Sequence, residues 1–297
     1  MPSKLCSGTF VLPLRAGKVD DMDEERRTKI ATALHQYRET VSQHSLFLLR
    51  ILVEGMEAEP LPPGVSASVA QTLRIEEFRQ HHLPGAVPES VKSPRDLLND
   101  DVRAELVRRA RLDGVAHRPV NLKLREEYFA FIRTRIAEKN VEAAEFPPAD
   151  LEYLCTLVSG ITGPGLPKHH DAQQFDFISS IEDEELKYMI ENVAVPIRDD
   201  GGERYNALTY VWEDWEIAIA FKIGAGPRGW GGSFALYCRN EDNEQWKWRY
   251  GVHDEDWCSD IYDSVEEFLG FYAHFREQTE ESVRKNIRSL KGTLRLR

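Results

Sequence analysis

Between residues 24 and 54 the apolar positions Ile30, Leu34, Tyr37, Val41, Leu48 and Ile51 recur in alternating steps of three and four, broken only at His44. That period places one apolar stripe on a long helix, to pack against a partner helix or against helices of this chain. The Pro-rich stretch 59–64 ends it, and a shorter helix is expected around 68–81. Ser93, Pro94 and Asp96 then supply an N-cap, a first-turn proline and an early acid ahead of Leu97, Leu98, Val102, Leu106 and Ala110, with Gly114 as the stop. Leu124, Tyr128, Phe131, Ile132 and Ile136 mark a further helix started by Asn121 and stopped by Asn140, and Leu151, Leu154 and Val158 a short one ending at Gly160.

Beyond Gly160 the period changes. Runs rich in β-branched and aromatic residues, at 205–212, 216–223, 233–239 and 246–252, alternate with glycine clusters and predict an antiparallel meander. In the second run Ile217, Ile219 and Phe221 fall on one face and Glu216, Ala218, Ala220 and Lys222 on the other. A last helix carries Ile261, Val265, Phe268, Leu269, Tyr272 and Phe275 as one stripe, with Ser264 and Glu267 as its capping box, and is expected to cover the apolar side of the sheet. The fold class is therefore α+β, a helical N-terminal half followed by an antiparallel sheet of about four or more strands covered by helices. The expected organisation is a flexible N-terminus over 1–20, a helical region over 21–146, an α+β domain over 147–283 and a basic tail over 284–297.

Composition narrows the partners. The 297 residues carry a net charge of -12, but residues 1–146 balance at 22 basic against 22 acidic. Residues 147–297 hold the whole excess, and without the basic tail from Arg284 the remainder stands at -18. Such a surface repels phosphate backbones, so nucleic acid is not expected as a partner. The stretch 153–167 is the longest uncharged one with apolar character, yet Gly160, Gly163, Pro164 and Gly165 prevent it from spanning a bilayer as a helix. No export segment is evident near Phe10, Val11 and Leu12, where Pro13 and Arg15 intervene. A cytoplasmic location is expected, with the nucleus as the alternative.

Several residue groups are candidates for chemistry. Gly224, Gly226 and Gly229 follow a strand in G-x-G-x-x-G spacing, but the chain runs on into another strand, where a phosphate cradle needs a helix N-terminus. A glycine-permissive hairpin is the simpler expectation, with Arg228 and Trp230 at its tip as residue types that dominate binding hot spots. His169, His170 and Asp171 sit in a loop after Pro167; with His253 or Cys258 they would be the material for a metal site, but no H-x-x-x-H or C-x-x-C spacing is present. They are carried as binding candidates, with no metal and no cofactor expected. Cys155 and Cys238 fall on apolar faces as small buried residues, and the acids Asp254, Glu255, Asp256, Asp260 and Asp263 read as a solvated rim.

The segment Ile261-Tyr262-Asp263-Ser264-Val265-Glu266-Glu267-Phe268-Leu269 resembles the closing helix motif of the SUKH superfamily, the fungal cell-wall assembly regulators and bacterial toxin-immunity proteins. Asp150, Leu151 and Leu154, then Gly165-Leu166-Pro167 with Phe175, Phe177 and Ile178, are similar to its opening helix, Leu-Pro turn and aromatic follow-on. The usual Asn-Gly-Gly is missing, its nearest substitute being Gly201-Gly202, and the Leu-Pro turn lacks the expected tyrosine. Over about 147–275 the resemblance implies a helix-flanked sheet that binds other proteins as a regulator or immunity-like factor, with no catalytic residues to carry over. The alternative is a hydrolase or metal-dependent enzyme with a site between the two halves.

Overall fold

The computed structural model describes residues 22–60, 64–137, 146–167, 175–179, 211–226, 231–240, 244–254, 257–285 and 287. Helix α1, Glu24–Ala58, starts where the Asp23 carboxylate accepts a hydrogen bond from the Arg26 amide, with Glu24 and Glu25 at the positive end of the helix dipole. At 35 residues it is about 52 Å long, more than one core can cover. Its N-terminal portion buries Ile30, Leu34, Tyr37 and Val41 against the sheet, and its C-terminal portion buries Leu48, Leu49, Leu52 and Met56 in a second, helical core.

That second core is built by α2, Ala67–Glu77, by a wide turn over Phe78–His82, by a 3₁₀ turn over Pro94–Leu98 and by α3, Asp100–Arg109. The single helix expected from Ser93 onward is two pieces. Ser93 and Asp96 do form a capping box, but it closes only a 3₁₀ turn, and Asn99 is extended (φ -69°, ψ 140°) before α3 begins. Nor does Gly114 stop α3. The helix ends at Arg109, and Arg111, with φ 54°, takes the left-handed position that turns the chain back so that Leu112 is buried. Helix α4, Leu122–Ala137, opens as expected, with the Asn121 side chain accepting from the Leu124 amide at 3.1 Å. Helix α5 comes next at Ala149–Leu157.

Strands β1 (Ile161–Thr162) and β2 (Asp176–Ile178) pair with each other. The main sheet is antiparallel in the order β3 (Glu216–Ala225), β4 (Gly232–Arg239), β5 (Lys247–Asp254) and β6 (Trp257–Cys258). Of the strand expected over 205–212, residues 205–210 lie outside the described residues, and Val211 and Trp212 form a turn leading to β3. The fourth strand is instead the two-residue β6. The alternation expected along β3 also fails, because register shifts fall between Ile217 and Ile219 and between Lys222 and Gly224. An extra residue at such a bulge inverts the face of every residue beyond it. Ile217 and Ala220 therefore join Phe234, Leu236, Cys238 and Trp212 on one side, while Ile219, Phe221 and Ile223 face the main core.

Helix α6, Val265–Tyr272, covers that main core face. The Ser264 hydroxyl accepts from the Glu267 amide, and Val265, Phe268, Leu269 and Tyr272 are completely buried. Phe268 lies 4.4 Å, centroid to centroid, from Phe177 and 6.2 Å from Tyr250. One carboxylate ties this layer together. Asp150 of α5 accepts from the Tyr250 hydroxyl at 2.6 Å and from the Val265 amide at 3.3 Å, and lies 3.6 Å from Arg26 of α1.

The glycines after β3 are explained by close backbone approach. A Cβ on Gly224 would sit 1.7 Å from the carbonyl oxygen of Asp176, and one on Gly226 would sit 2.4 Å from the carbonyl carbon of Gly231. No helix of the described residues is long and apolar enough to cross a membrane.

Candidate recognition cleft

The break at His44 in the apolar stripe of α1 marks the point where the two cores meet. His44 Nε2 donates to the carbonyl of Gln278 at 2.9 Å, and Nδ1 lies 3.3 Å from the Glu277 carboxylate. Next to it the Ser45 hydroxyl donates to the carbonyl of Gly165 at 3.3 Å, and the Leu166 amide donates to the Gln278 side chain at 3.2 Å. This polar seam fixes the loop 163–167 against the corner that comes after α6.

A cleft of about 230 Å³ opens beside the seam. One wall is the end of α3 with Arg109 and Arg111, another is the 163–167 loop, and the floor is Phe175 and Phe275 with Arg276. Phe175 and Phe275 meet edge to face at 5.3 Å. The Arg276 guanidinium lies over the Phe175 ring at 4.7 Å and is paired with Asp254 at the end of β5. Trp257 of β6 stacks on Phe275 at 5.6 Å and an interplanar angle of 19°, and stays 45% exposed.

Among the described residues the charged side chains that line the cleft are Arg109, Arg111 and Arg276. No carboxylate of the described residues lines it. Arg109 is bonded to Glu105 at 2.6 Å, Arg276 to Asp254, and the Arg111 guanidinium makes no hydrogen bond or ion pair with the described residues. Arg111 (φ 54°) and Arg276 (φ 51°) are also the two non-glycine residues with left-handed backbone among those described. At Arg111 this conformation closes helix α3, with the Leu112 amide reaching back to the carbonyl of Val107 at 3.0 Å.

The sequence candidates fare differently. His169, His170, Arg228 and Trp230 all lie outside the described residues. His253 and Cys258 are brought together as register partners of β5 and β6, but the thiol donates to the carbonyl of Val211 at 3.1 Å. Burial, helped by the charge of Asp260, pushes the Cys258 thiol up, and burial does the same for Cys155. Burial also pushes the Cys238 thiol up to about 12. Among the described residues no group of three or more His, Cys, Asp or Glu is placed to hold a metal.

The acids expected as a solvated rim are partly engaged. Asp254 pairs with Arg276, and Asp263 with Lys247 at 2.7 Å and Arg249 at 2.6 Å. Arg249 is itself fully buried, donating to the carbonyl of Cys238 at 2.6 Å with its guanidinium 4.7 Å from the Trp215 ring centre. Asp260 is exposed and Asp263 half exposed, Glu255 and Asp256 lie outside the described residues, and the cations that answer Asp254 and Asp263 lie on β5 and on the corner after α6.

Sequence reasoning missed Trp257, Arg111 and Arg276 as site residues. The available signal was the Gly-Pro-Gly-Leu-Pro run at 163–167, whose restricted backbone suits a loop that keeps its shape. No family model, curated protein or solved structure matches the chain.

Proposed function

We propose that the chain is a protein-interaction module of SUKH-like type without catalytic activity, docking a partner on the surface formed by Trp257, Phe275, Arg276 and Arg111. The observation that carries this reading is Trp257, left 45% exposed while stacked on the buried Phe275 beside the Arg276 guanidinium. Tryptophan and arginine are the residue types that concentrate binding energy at protein interfaces, and a ring already held by a stack loses little freedom on docking. Burial pushes the thiols of Cys155, Cys238 and Cys258 up, away from the lowered range of a reactive thiolate, which argues against these three as nucleophiles of the alternative hydrolase.

The test is crosslinking in the native host with the full chain and with Trp257→Ala as baits. Trp257 contributes a partly exposed ring on a two-residue strand, so the variant is expected to keep its thermal midpoint within a few degrees. A protein crosslinked by the wild type and lost with the variant supports the reading. Identical crosslinked sets from two equally stable baits would overturn it.

A further inference from the structure

We propose that the cleft beside Trp257 seats one oxyanion, a carboxylate or phosphate on a side chain of an otherwise apolar partner segment, between Arg111 and Arg276. This rests on the docking surface described above and specifies what it takes.

Four observations converge. First, three guanidinium-bearing residues and no carboxylate of the described residues line the cleft, on a chain whose net charge is -12. A strongly acidic partner is repelled by such a chain as a whole, whereas one negative charge delivered inside a Debye length of about 8 Å responds mainly to the local arginines. Second, Arg111 is exposed at the cleft, and its guanidinium makes no hydrogen bond or ion pair with the described residues, which leaves its donors open to an anion.

Third, the loop supplies few amide donors. Pro164 and Pro167 have none, and the Leu166 amide is committed to Gln278, so the charged donors at the cleft are the side-chain guanidiniums. Arg276 already binds one carboxylate, that of Asp254, while stacked on Phe175. Fourth, about 230 Å³ lies below the roughly 300 to 1,000 Å³ of pockets that enclose whole small ligands, and suits a single side chain. Apolar residues on either side of the anion would lie on Trp257 and the edge of Phe275.

The experiment is an array of blocked random heptapeptides, one third containing a single Glu, one third a single phosphoserine and one third neither, probed with the full-length chain. The expected result is that binding peptides carry the acidic residue next to an aliphatic or aromatic one. The preference over the Gln or Ser counterpart is at least about tenfold. The Glu and phosphoserine arms distinguish the two sources of the oxyanion. Arg111→Gln, which keeps the backbone strain and removes the charge, is expected to abolish the preference. Arg111→Gly is expected to do the same while raising the thermal midpoint.

Binders without an acid, no binders in any arm, or a preference unchanged in Arg111→Gln would overturn the proposal. So would inorganic phosphate alone binding as tightly as the phosphopeptides. A crosslinked partner that depends on Trp257 but not on Arg111 would leave the docking surface standing and remove the oxyanion seat.

Discussion

Replacing Phe268 by alanine tests the layer on which the cleft is mounted. The ring is completely buried on α6, with Phe177, Tyr250, Tyr262, Phe271 and Tyr272 around it at centroid distances of 4.4 to 6.2 Å. Truncation removes the transfer energy of the ring and leaves a cavity whose walls belong to the sheet, β2 and α6, none of which collapses freely. Phe→Ala changes at such sites cost about 3 to 5 kcal/mol. For a chain of 297 residues the unfolding entropy makes each kcal/mol worth roughly 2 °C, so the midpoint is expected to fall by about 6 to 10 °C. Phe271→Ala, at a half-buried neighbour one helix face away, is the control and is expected to cost less than about half as much. The assay is urea unfolding followed by tryptophan fluorescence, with calorimetry for the midpoint. A loss for Phe268→Ala under about 1.5 kcal/mol, or one no larger than that of Phe271→Ala, would refute the claim that α6 seals the core.

The same packing sets three further expectations. Gly224→Ala places a methyl group against the backbone of Asp176, which cannot swing aside like a side chain, so β2 must move and a loss of about 3 kcal/mol is expected in urea unfolding. Gly270→Ala, an exposed site inside α6 with nothing within 4 Å, is expected to stabilise by about 0.5 to 1 kcal/mol. Burial alone would raise the Asp263 carboxyl, but the hydrogen bonds from Lys247 and Arg249 outweigh it and hold the group below the usual aspartate range. A carboxyl depressed in the folded state adds stability that is complete above its unfolded value of about 4 and is lost as pH falls through the folded one. Because Asp263 is half exposed, the effect is expected to stay under about 1 kcal/mol, read as a flatter acid limb in urea midpoints of Asp263→Asn.

Local periodicity and capping made most of the fold legible. The stripe of α1, the Asn121 and Ser264 caps, the three long strands and the burial of Phe268 and Tyr272 all depend on residues a few positions apart, the range over which period and cap chemistry act. The inverted face of Ile217 was not legible, since a bulge is a decision of the pairing with β4 and leaves the composition of β3 unchanged. The pairs that fix tertiary structure were equally hidden. Tyr250 and Asp150 are 100 residues apart, and Arg276 and Asp254 are 22 apart. Nothing in one sequence says which of 50 acids meets which of 38 cations.

The position of the cleft is a consequence of the length of α1. A helix too long for one core must hand its apolar face from one to the other, and at the hand-over an apolar residue would have no core to enter. His44 and Ser45 occupy that turn and bond instead to Gln278 and Gly165. The walls of the cleft are accordingly divided: Leu166, and Leu112 just after Arg111, belong to the helical core, whereas Phe175 and Phe275 belong to the core under the sheet. Arg111 is thus carried by the helical core and Arg276 by the core under the sheet, with α1 and the seam as the common frame. What reads in the sequence as a flaw in a heptad pattern is the joint between the two cores that bring these arginines to one cleft.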